Sequence, residues 1–441
     1  MQYYIVELSK YVTAILMVLY TMGCLLVLPG DKKKFHTPIY VCQGILLFFI
    51  QFLAYLSLCL QTGQIEYLFF YAFLQIALFS SIVLYPMLYP EVDRLLVNNM
   101  CLLLSIGFIM LTRLDYDKAL KQFFIVVMGL VLALLIPFFI YKLRFLKHLK
   151  WIYGGVGIAA LAVVLILGQV TQGSKISYTI AGITLQPSEF VKILFAFFVA
   201  ALLYRAKTFG QIFLSAIFAG IHVLILVASK DLGSSLIFFV GYLFVLLVAT
   251  GNYFYFSGGL LAGALAAVAG YHLFGHVRVR VQAFLDPFTV IDNEGFQMSQ
   301  SLFAIGSGNW FGIGLYQGTP GDIPYVESDF MFSAIAEELG GIFAICLILV
   351  CLFSFFTFLK ISMGQMDYFY RLVGCGLSVM YIFQIFLTIG GGIKFIPLTG
   401  VTLPLVSYGG SSVLTTLILF AILQGLQVIR IRAMEDEEEE A

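Results

Sequence analysis

Ile342-Phe343-Ala344-Ile345-Cys346-Leu347-Ile348-Leu349-Val350-Cys351-Leu352-Phe353-Ser354-Phe355-Phe356-Thr357-Phe358-Leu359 carries no charge and ends at Lys360. A run of that length marks a helix crossing a bilayer, whose hydrocarbon core takes about 20 residues. Working outward, runs of spanning length bounded by charge or by Gly and Pro recur at about 10–29, 38–61, 66–89, 97–113, 119–141, 150–168, 187–204, 211–228, 232–250, 256–275, 329–358, 371–391 and 405–429. These thirteen spans account for the composition. Of 441 residues 61% are apolar and 11% charged, against roughly 45–50% and about 25% in soluble domains. The predicted fold is all-α and polytopic, with little chain left for a soluble domain. The two runs flanking Asp231 also admit one broken helix.

Formal net charge is zero, and the one basic tract is Lys32-Lys33-Lys34, so composition gives no support for nucleic-acid binding. The acidic tail at 435–440 reads as a solvated end, with a docking peptide as the alternative. All seven cysteines fall inside apolar runs without a CxxC pair, as small core hydrophobes do. Asp31 and Lys32 follow the first span where a signal peptide needs small residues, so that span is expected to be retained.

Lys and Arg accumulate in cytoplasmic loops. One set of alternate loops holds fourteen of them; the other set, with the N-terminus, holds nine. That bias predicts the N-terminus outside and the C-terminus inside. Three outer connections, at about 169–186, 276–328 and 392–404, are long and rich in Gly, Pro and polar residues. Irregular backbone at a membrane persists only where protein or water covers it, so the functional side is expected to be the outer face.

Four polar clusters stand out. In Gln186-Pro187-Ser188-Glu189-Phe190-Val191-Lys192, proline suits a helix start and Ser188 and Glu189 suit the positive end of the dipole. Glu189 and Lys192 share a helix face; they are either a self-neutralising cap or charges kept at membrane depth for a site. The loop from Arg278 and Arg280 through Gln297 to Gly314 is glycine-rich; its glycines serve as turns or bring backbone N–H groups to a phosphate. At Glu327-Ser328-Asp329-Phe330, followed by Glu337-Glu338, four carboxylates crowd a segment without Lys or Arg. Asp329 reads as an N-cap or as an unpaired carboxylate suited to proton abstraction, with Glu327 and Glu337 supporting. From Gly390 to Ser412, Lys394, two prolines and a Gly-Gly-Ser-Ser run break any straight span. A re-entrant turn is expected there, offering Ser407, Tyr408, Ser411 and Ser412 as donors, unless the small residues only pack helices. His272 and His276 have ligand spacing but no third ligand.

At these residues the chain resembles the SEDS family of shape, elongation, division and sporulation proteins (FtsW, RodA and SpoVE types). The matching pieces are Gln186 to Lys192, Asp231-Leu232-Gly233-Ser234-Ser235-Leu236, Arg280 to Pro287, Gly295 to Gly308, Asp329 to Gly340 and Pro397 to Ser412, in the family's order. The resemblance implies a ten-span core over 96–430 that polymerises lipid II as a peptidoglycan glycosyltransferase in the bacterial cytoplasmic membrane, paired with a class B penicillin-binding protein, a transpeptidase. The three spans of 1–95 would be an N-terminal extension, and 431–441 a cytoplasmic tail. The family's essential aspartate falls on Asp329, and its acidic and basic pair on Glu189 and Lys192. Three positions depart: Glu327-Ser328 stand where His-Thr is frequent, Lys230 replaces a proline, and Ser177 or Tyr178 a tryptophan.

Such chemistry needs an acceptor hydroxyl deprotonated as it attacks an anomeric carbon. The leaving pyrophosphate needs positive charge, for which Lys175, Arg278, Arg280, Lys394 or a bound Mg²⁺ or Mn²⁺ are candidates; no organic cofactor is expected. A transporter of lipid-linked precursor is the rival reading, since intramembrane charges and broken helices suit it too. It predicts polar residues through the full membrane depth.

Overall fold

The computed structural model describes residues 2–28, 33–143, 145–171, 174–180, 183–293 and 295–440. The chain is a multi-pass helical membrane protein. Its helices are α1 (Gln2–Val27), α2 (Lys33–Thr62), α3 (Glu66–Leu88), α4 (Arg94–Leu114), α5 (Tyr116–Lys142), α6 (Lys150–Leu167), α7 (Pro187–Leu203), α8 (Phe209–Ala228), α9 (Leu232–Thr250), α10 (Tyr253–Leu273), α11 (Gly275–Leu285), α12 (Phe296–Gly308), α13 (Met331–Met363), α14 (Tyr368–Gly392) and α15 (Gly410–Glu440). Each of the thirteen expected runs contains a helix, the last only from Gly410, but among the described residues twelve helices are long and apolar enough to cross a membrane. The exception, α7, has 17 residues, at the lower limit for a bilayer. Two separate helices, α8 and α9, flank Asp231.

The loops hold more order than their composition suggests. Within 169–186, β1 (Gln169–Thr171), β2 (Ser174–Ile180) and β3 (Ile183–Leu185) form an antiparallel sheet. The connection at 276–328 contains α11 and α12, and the acidic tail continues α15 as helix.

The chain divides into two compact units. One comprises Met1–Leu130, Val279–Thr357 and Ile385–Gly409; the other comprises Val131–Arg278, Phe358–Gln384 and Gly410–Ala441. In the first unit α4 is buried from Leu95 to Thr112, as a helix apolar all round must be. Its few polar side chains bind the added N-terminal helices. Asn99 accepts from the Tyr20 hydroxyl of α1 at 3.1 Å and donates to Ser354 of α13 at 3.1 Å. Asn98 donates to Gln43 of α2 at 3.1 Å, and Thr112 bonds Tyr55 of α2 at 3.0 Å. Between helices in lipid, where apolar contact gives no net drive, such bonds and close packing hold the bundle. In the second unit α10 is the outlier, since none of its residues is buried.

Gly107 of α4 lies against the irregular stretch after α14. A Cβ there would sit 2.6 Å from the Val406 carbonyl oxygen and 2.9 Å from that of Leu405, backbone atoms that cannot swing aside. Gly107→Ala is expected to lose about 1–3 kcal/mol through overpacking. Gly44→Ala, with nothing within 4 Å, should be neutral or slightly stabilising in its helix. Thermal unfolding in mild detergent checks this; equal melting temperatures for the two variants would refute it.

Candidate functional site

In the first unit, α13 begins at Met331, two residues after Asp329. The Asp329 N–H bonds the Tyr325 carbonyl at 3.1 Å, and among the described residues no N–H of α13 bonds its carboxylate, so Asp329 does not act as an N-cap. Burial raises its pKa to about 6, against the smaller opposing pull of the Ser328 hydroxyl and the Arg280 charge. Arg280 of α11 is aimed by the Leu398 and Thr399 carbonyls, which accept from its Nη1 at 3.3 and 3.2 Å. Gly400 lies beside both charges: a Cβ at this position, where φ is +73°, would stand 3.7 Å from Asp329 Oδ2 and 3.9 Å from Arg280 Nη2. Glycine both adopts that backbone and leaves room beside the pair.

Two of the other three carboxylates are ion-paired, which corrects the reading of them as a cluster without partners. Glu327 bonds Lys118, which also reaches Asp115 at 3.2 Å. Glu338 is paired with Arg113 at 2.9 Å, and Glu337 Oε1 accepts the Thr319 N–H at 2.9 Å. The cations come from the ends of α4 and α5, some two hundred residues away, and short-range sequence reading misses them. Glu337 also lines a cavity of about 270 Å³ with Gln300, Ser307, Gln317 and Thr319.

The loop glycines serve close backbone approach to α13. At Gly340, where φ is +90°, α13 is interrupted, and the chain after α12 fills the break. Gly341 and Ile342 donate to the Asn309 and Trp310 carbonyls at 2.8 and 3.1 Å; Ile313 and Gly314 donate to those of Glu337 and Glu338 at 2.9 and 3.1 Å. A Cβ at Gly308, Gly312 or Gly340 would lie 2.0 to 2.3 Å from backbone atoms across this seam.

From Ile393 to Gly409 the chain is not helical. Ser407 is buried and its hydroxyl accepts the Leu403 N–H at 3.1 Å, so it holds the turn rather than facing outward. Tyr408 donates its N–H to the Glu327 carbonyl at 2.7 Å, and its ring carries the Lys118 ammonium at 5.8 Å. Lys394 occupies a left-handed turn position, φ 57°, and Gln297 is half-buried on α12.

In the second unit the Glu189 and Lys192 side chains are 2.8 Å apart and buried, with Lys192 also donating to Gln384 at 2.7 Å. Asp231 caps α9 through Ser234 N–H at 3.1 Å and accepts from Ser188 and Gln186 at 3.2 and 3.3 Å. Burial raises its pKa, the Ser234 and Ser188 hydrogen bonds opposing. Ser411, at the start of α15, accepts the Gln186 N–H at 2.9 Å. The first turns of α7, α9 and α15 thus meet. Arg278 is exposed in this unit, and Lys175 lies in β2 with its side chain outside the described residues. Among the described residues no three His, Cys, Asp or Glu gather as a metal cage.

A family profile described as "Cell cycle protein", FTSW_RODA_SPOVE, matches residues 93–430. The peptidoglycan glycosyltransferase RodA of Mycobacterium tuberculosis (strain ATCC 25618 / H37Rv) is 33% identical over 369 residues, which covers 76% of this chain and 77% of the relative. Stage V sporulation protein E of Bacillus subtilis (strain 168) is 32% identical over 355 residues, 75% of this chain and 94% of its own. A chain in a structure described as "Structural coordination of polymerization and crosslinking by a peptidoglycan synthase complex" superposes with a TM-score of 0.67 at 26% identity, over 77% of this chain and 98% of that one. The rod shape determining protein RodA of Thermus thermophilus shares the fold, with a TM-score of 0.59 at 24% identity over 76% and 96% of the two chains.

Proposed function

Because the chain belongs to the FtsW, RodA and SpoVE family of cell-cycle proteins, we propose that it is a peptidoglycan glycosyltransferase that polymerises lipid II into glycan strands. One observation carries the mechanism: a carboxylate with raised proton affinity and a carbonyl-aimed guanidinium lie against the same glycine. Asp329 takes the proton of the acceptor sugar hydroxyl as its oxygen forms a bond to the anomeric carbon of the donor. The bond from that carbon to the pyrophosphate oxygen breaks, and polyprenyl pyrophosphate leaves as an anion, so no general acid is needed. Arg280 faces the developing negative charge, which preorganised cations stabilise strongly where water is excluded. Glu327, tied to Lys118, keeps a second negative charge beside Asp329 and favours its protonated product state.

A bound Mg²⁺ or Mn²⁺ would supply positive charge at the leaving group; among the described residues no three His, Cys, Asp or Glu gather to hold one, and Arg280 is the cation beside Asp329. The buried Glu189 and Lys192 pair, with Gln384 and Asp231, fixes the helix starts of the second unit. Its supporting role is structural, since breaking such a pair strands a charge. The charge bias of the loops supports an external N-terminus and catalysis at the outer face. The relative solved as part of a synthase complex supports a partner that crosslinks, of the class B penicillin-binding type, docked on lipid-facing helix sides.

Asp329→Asn keeps size and loses the base, so a folded variant that still binds lipid II should turn over about 10²-fold to 10⁴-fold more slowly. Near-normal glycan synthesis by that variant would remove Asp329 from the mechanism. In the parent chain the ionised carboxylate works, so the rate should fall with one proton as pH drops through about 6. Stability should move the other way. A carboxyl whose native pKa exceeds its unfolded value binds its proton more tightly when folded, and stability rises as pH falls from above 6 toward the unfolded value. A pH–rate profile of purified protein with purified lipid II reads the first, and thermal unfolding across the same range reads the second. A cysteine placed at Gln2 should react with an impermeant thiol reagent in intact cells; labelling only after lysis would reverse the topology. Co-purification in mild detergent should recover a single-span transpeptidase, and full activity without any such partner would end that assignment.

A further inference from the structure

The backbone between Asn309 and Asp329 is improbable by itself. Asn309, Gly312, Gly314, Tyr316 and Tyr325 all take positive φ, between 49° and 118°, and three of the five carry a side chain that disfavours it. Such conformations persist where the surroundings over-determine them. One set of constraints is the seam with α13, from Gly341 and Ile342 to the Asn309 and Trp310 carbonyls. The other set comes from helices that precede the family-matched segment. The Tyr11 ring of α1 packs on Phe311, centroids 5.1 Å apart. Gln61 of α2 donates to the carbonyl of the buried Leu315 at 3.3 Å. Tyr67 of α3 packs its ring at a tilt on Tyr116, centroids 5.0 Å apart, close in sequence to Arg113, which reaches Tyr316 at 4.2 Å and the Gly318 carbonyl at 3.0 Å. Helices α1 and α2 are themselves fixed to α4 through Tyr20, Gln43 and Tyr55, and α3 through the Leu78 carbonyl, which accepts from the Cys101 thiol at 3.7 Å.

We propose that α1, α2 and α3 are a positioning element for the loop that delivers Asp329, acting through Tyr11 and Gln61 as positioning residues. Residues 1–92 would thereby hold the approach to the aspartate in register without touching substrate. The link to turnover rests on the glycosyltransferase reading; the hold on the loop does not.

The test uses the full-length chain in nanodiscs, comparing the parent with a Tyr11→Ala, Gln61→Leu double variant and with Tyr11→Phe. Hydrogen exchange of 309–328 should rise about tenfold in the double variant while α4 stays protected. Its kcat on purified lipid II should fall by about tenfold to 10²-fold, because small misplacements of a catalytic group are costly, with KM changed less than about twofold. Tyr11→Phe, which keeps the ring, should match the parent in both measurements. Phe311→Leu approaches the same contact from the loop side and should reproduce the exchange increase even if the double variant does not fold. Unchanged loop exchange in Phe311→Leu and the double variant overturns the proposal, and so does faster exchange with undiminished kcat. A parent chain that makes no glycan, beside variants with faster loop exchange, would count against the glycosyltransferase reading and leave the hold on the loop supported.

Discussion

The ion pair between Arg113 and Glu338 joins α4, α13 and the loop that leads to Asp329. The Glu338 side chain is fully buried and Arg113 nearly so, and removing one partner of such a pair leaves an uncompensated charge, typically a loss of about 3–5 kcal/mol. Arg113 ends α4, where a cation also suits the helix dipole. The same guanidinium holds the Gly318 carbonyl and covers the Tyr316 ring, while the Glu338 backbone carbonyl receives the Gly314 N–H. A single arginine therefore ties the central helix of the first unit to α13 and to the loop that ends at Asp329.

Placing a carboxylate and a cation close together invites them to neutralise each other. The first unit limits this by giving each its own constraint. Arg280 is turned toward two backbone carbonyls, and Asp329 is crowded enough that burial outweighs the arginine's pull on its pKa. Gly400 keeps the space beside them free of side chain. The second unit shows the opposite arrangement: Glu189 and Lys192 are in direct contact, buried and tied to Gln384. Two combinations of carboxylate and cation in one chain thus differ in kind, one with each member under its own constraint and one in direct contact.

Hydrophobic runs made nearly all of the architecture legible, because in lipid a helix satisfies its own backbone and length alone identifies it. The shortest run, α7, is where that signal is weakest. Irregular segments were harder to read. The hairpin of β1 to β3 and the helices α11 and α12 lie in stretches whose Gly, Pro and polar content reads as loop, since their order comes from what they pack against. Asp329, Arg280 and the polar cluster of the second unit stood out as charges in an apolar chain. The partners of Glu327 and Glu338 did not, because Lys118 and Arg113 are distant in sequence and only the folded bundle brings them near. Ser407 shows the same limit: a hydroxyl beside a Gly-Gly run reads as a ligand donor until its bond to Leu403 is seen.

The seam at the interruption of α13 sets a rule for how this chain can change its length. Four hydrogen bonds pair the carbonyls of Asn309 and Trp310 and the N–H groups of Ile313 and Gly314 with fixed positions on either side of Gly340. Adding or deleting one residue between Asn309 and Gly314 shifts the later pairings and leaves backbone groups at the break in α13 without their partners. The turns from Asp286 to Asn293 carry no such pairing with α13 and are mostly exposed, so length variation among descendants of this sequence is expected to collect there and to be absent from the six residues of the seam.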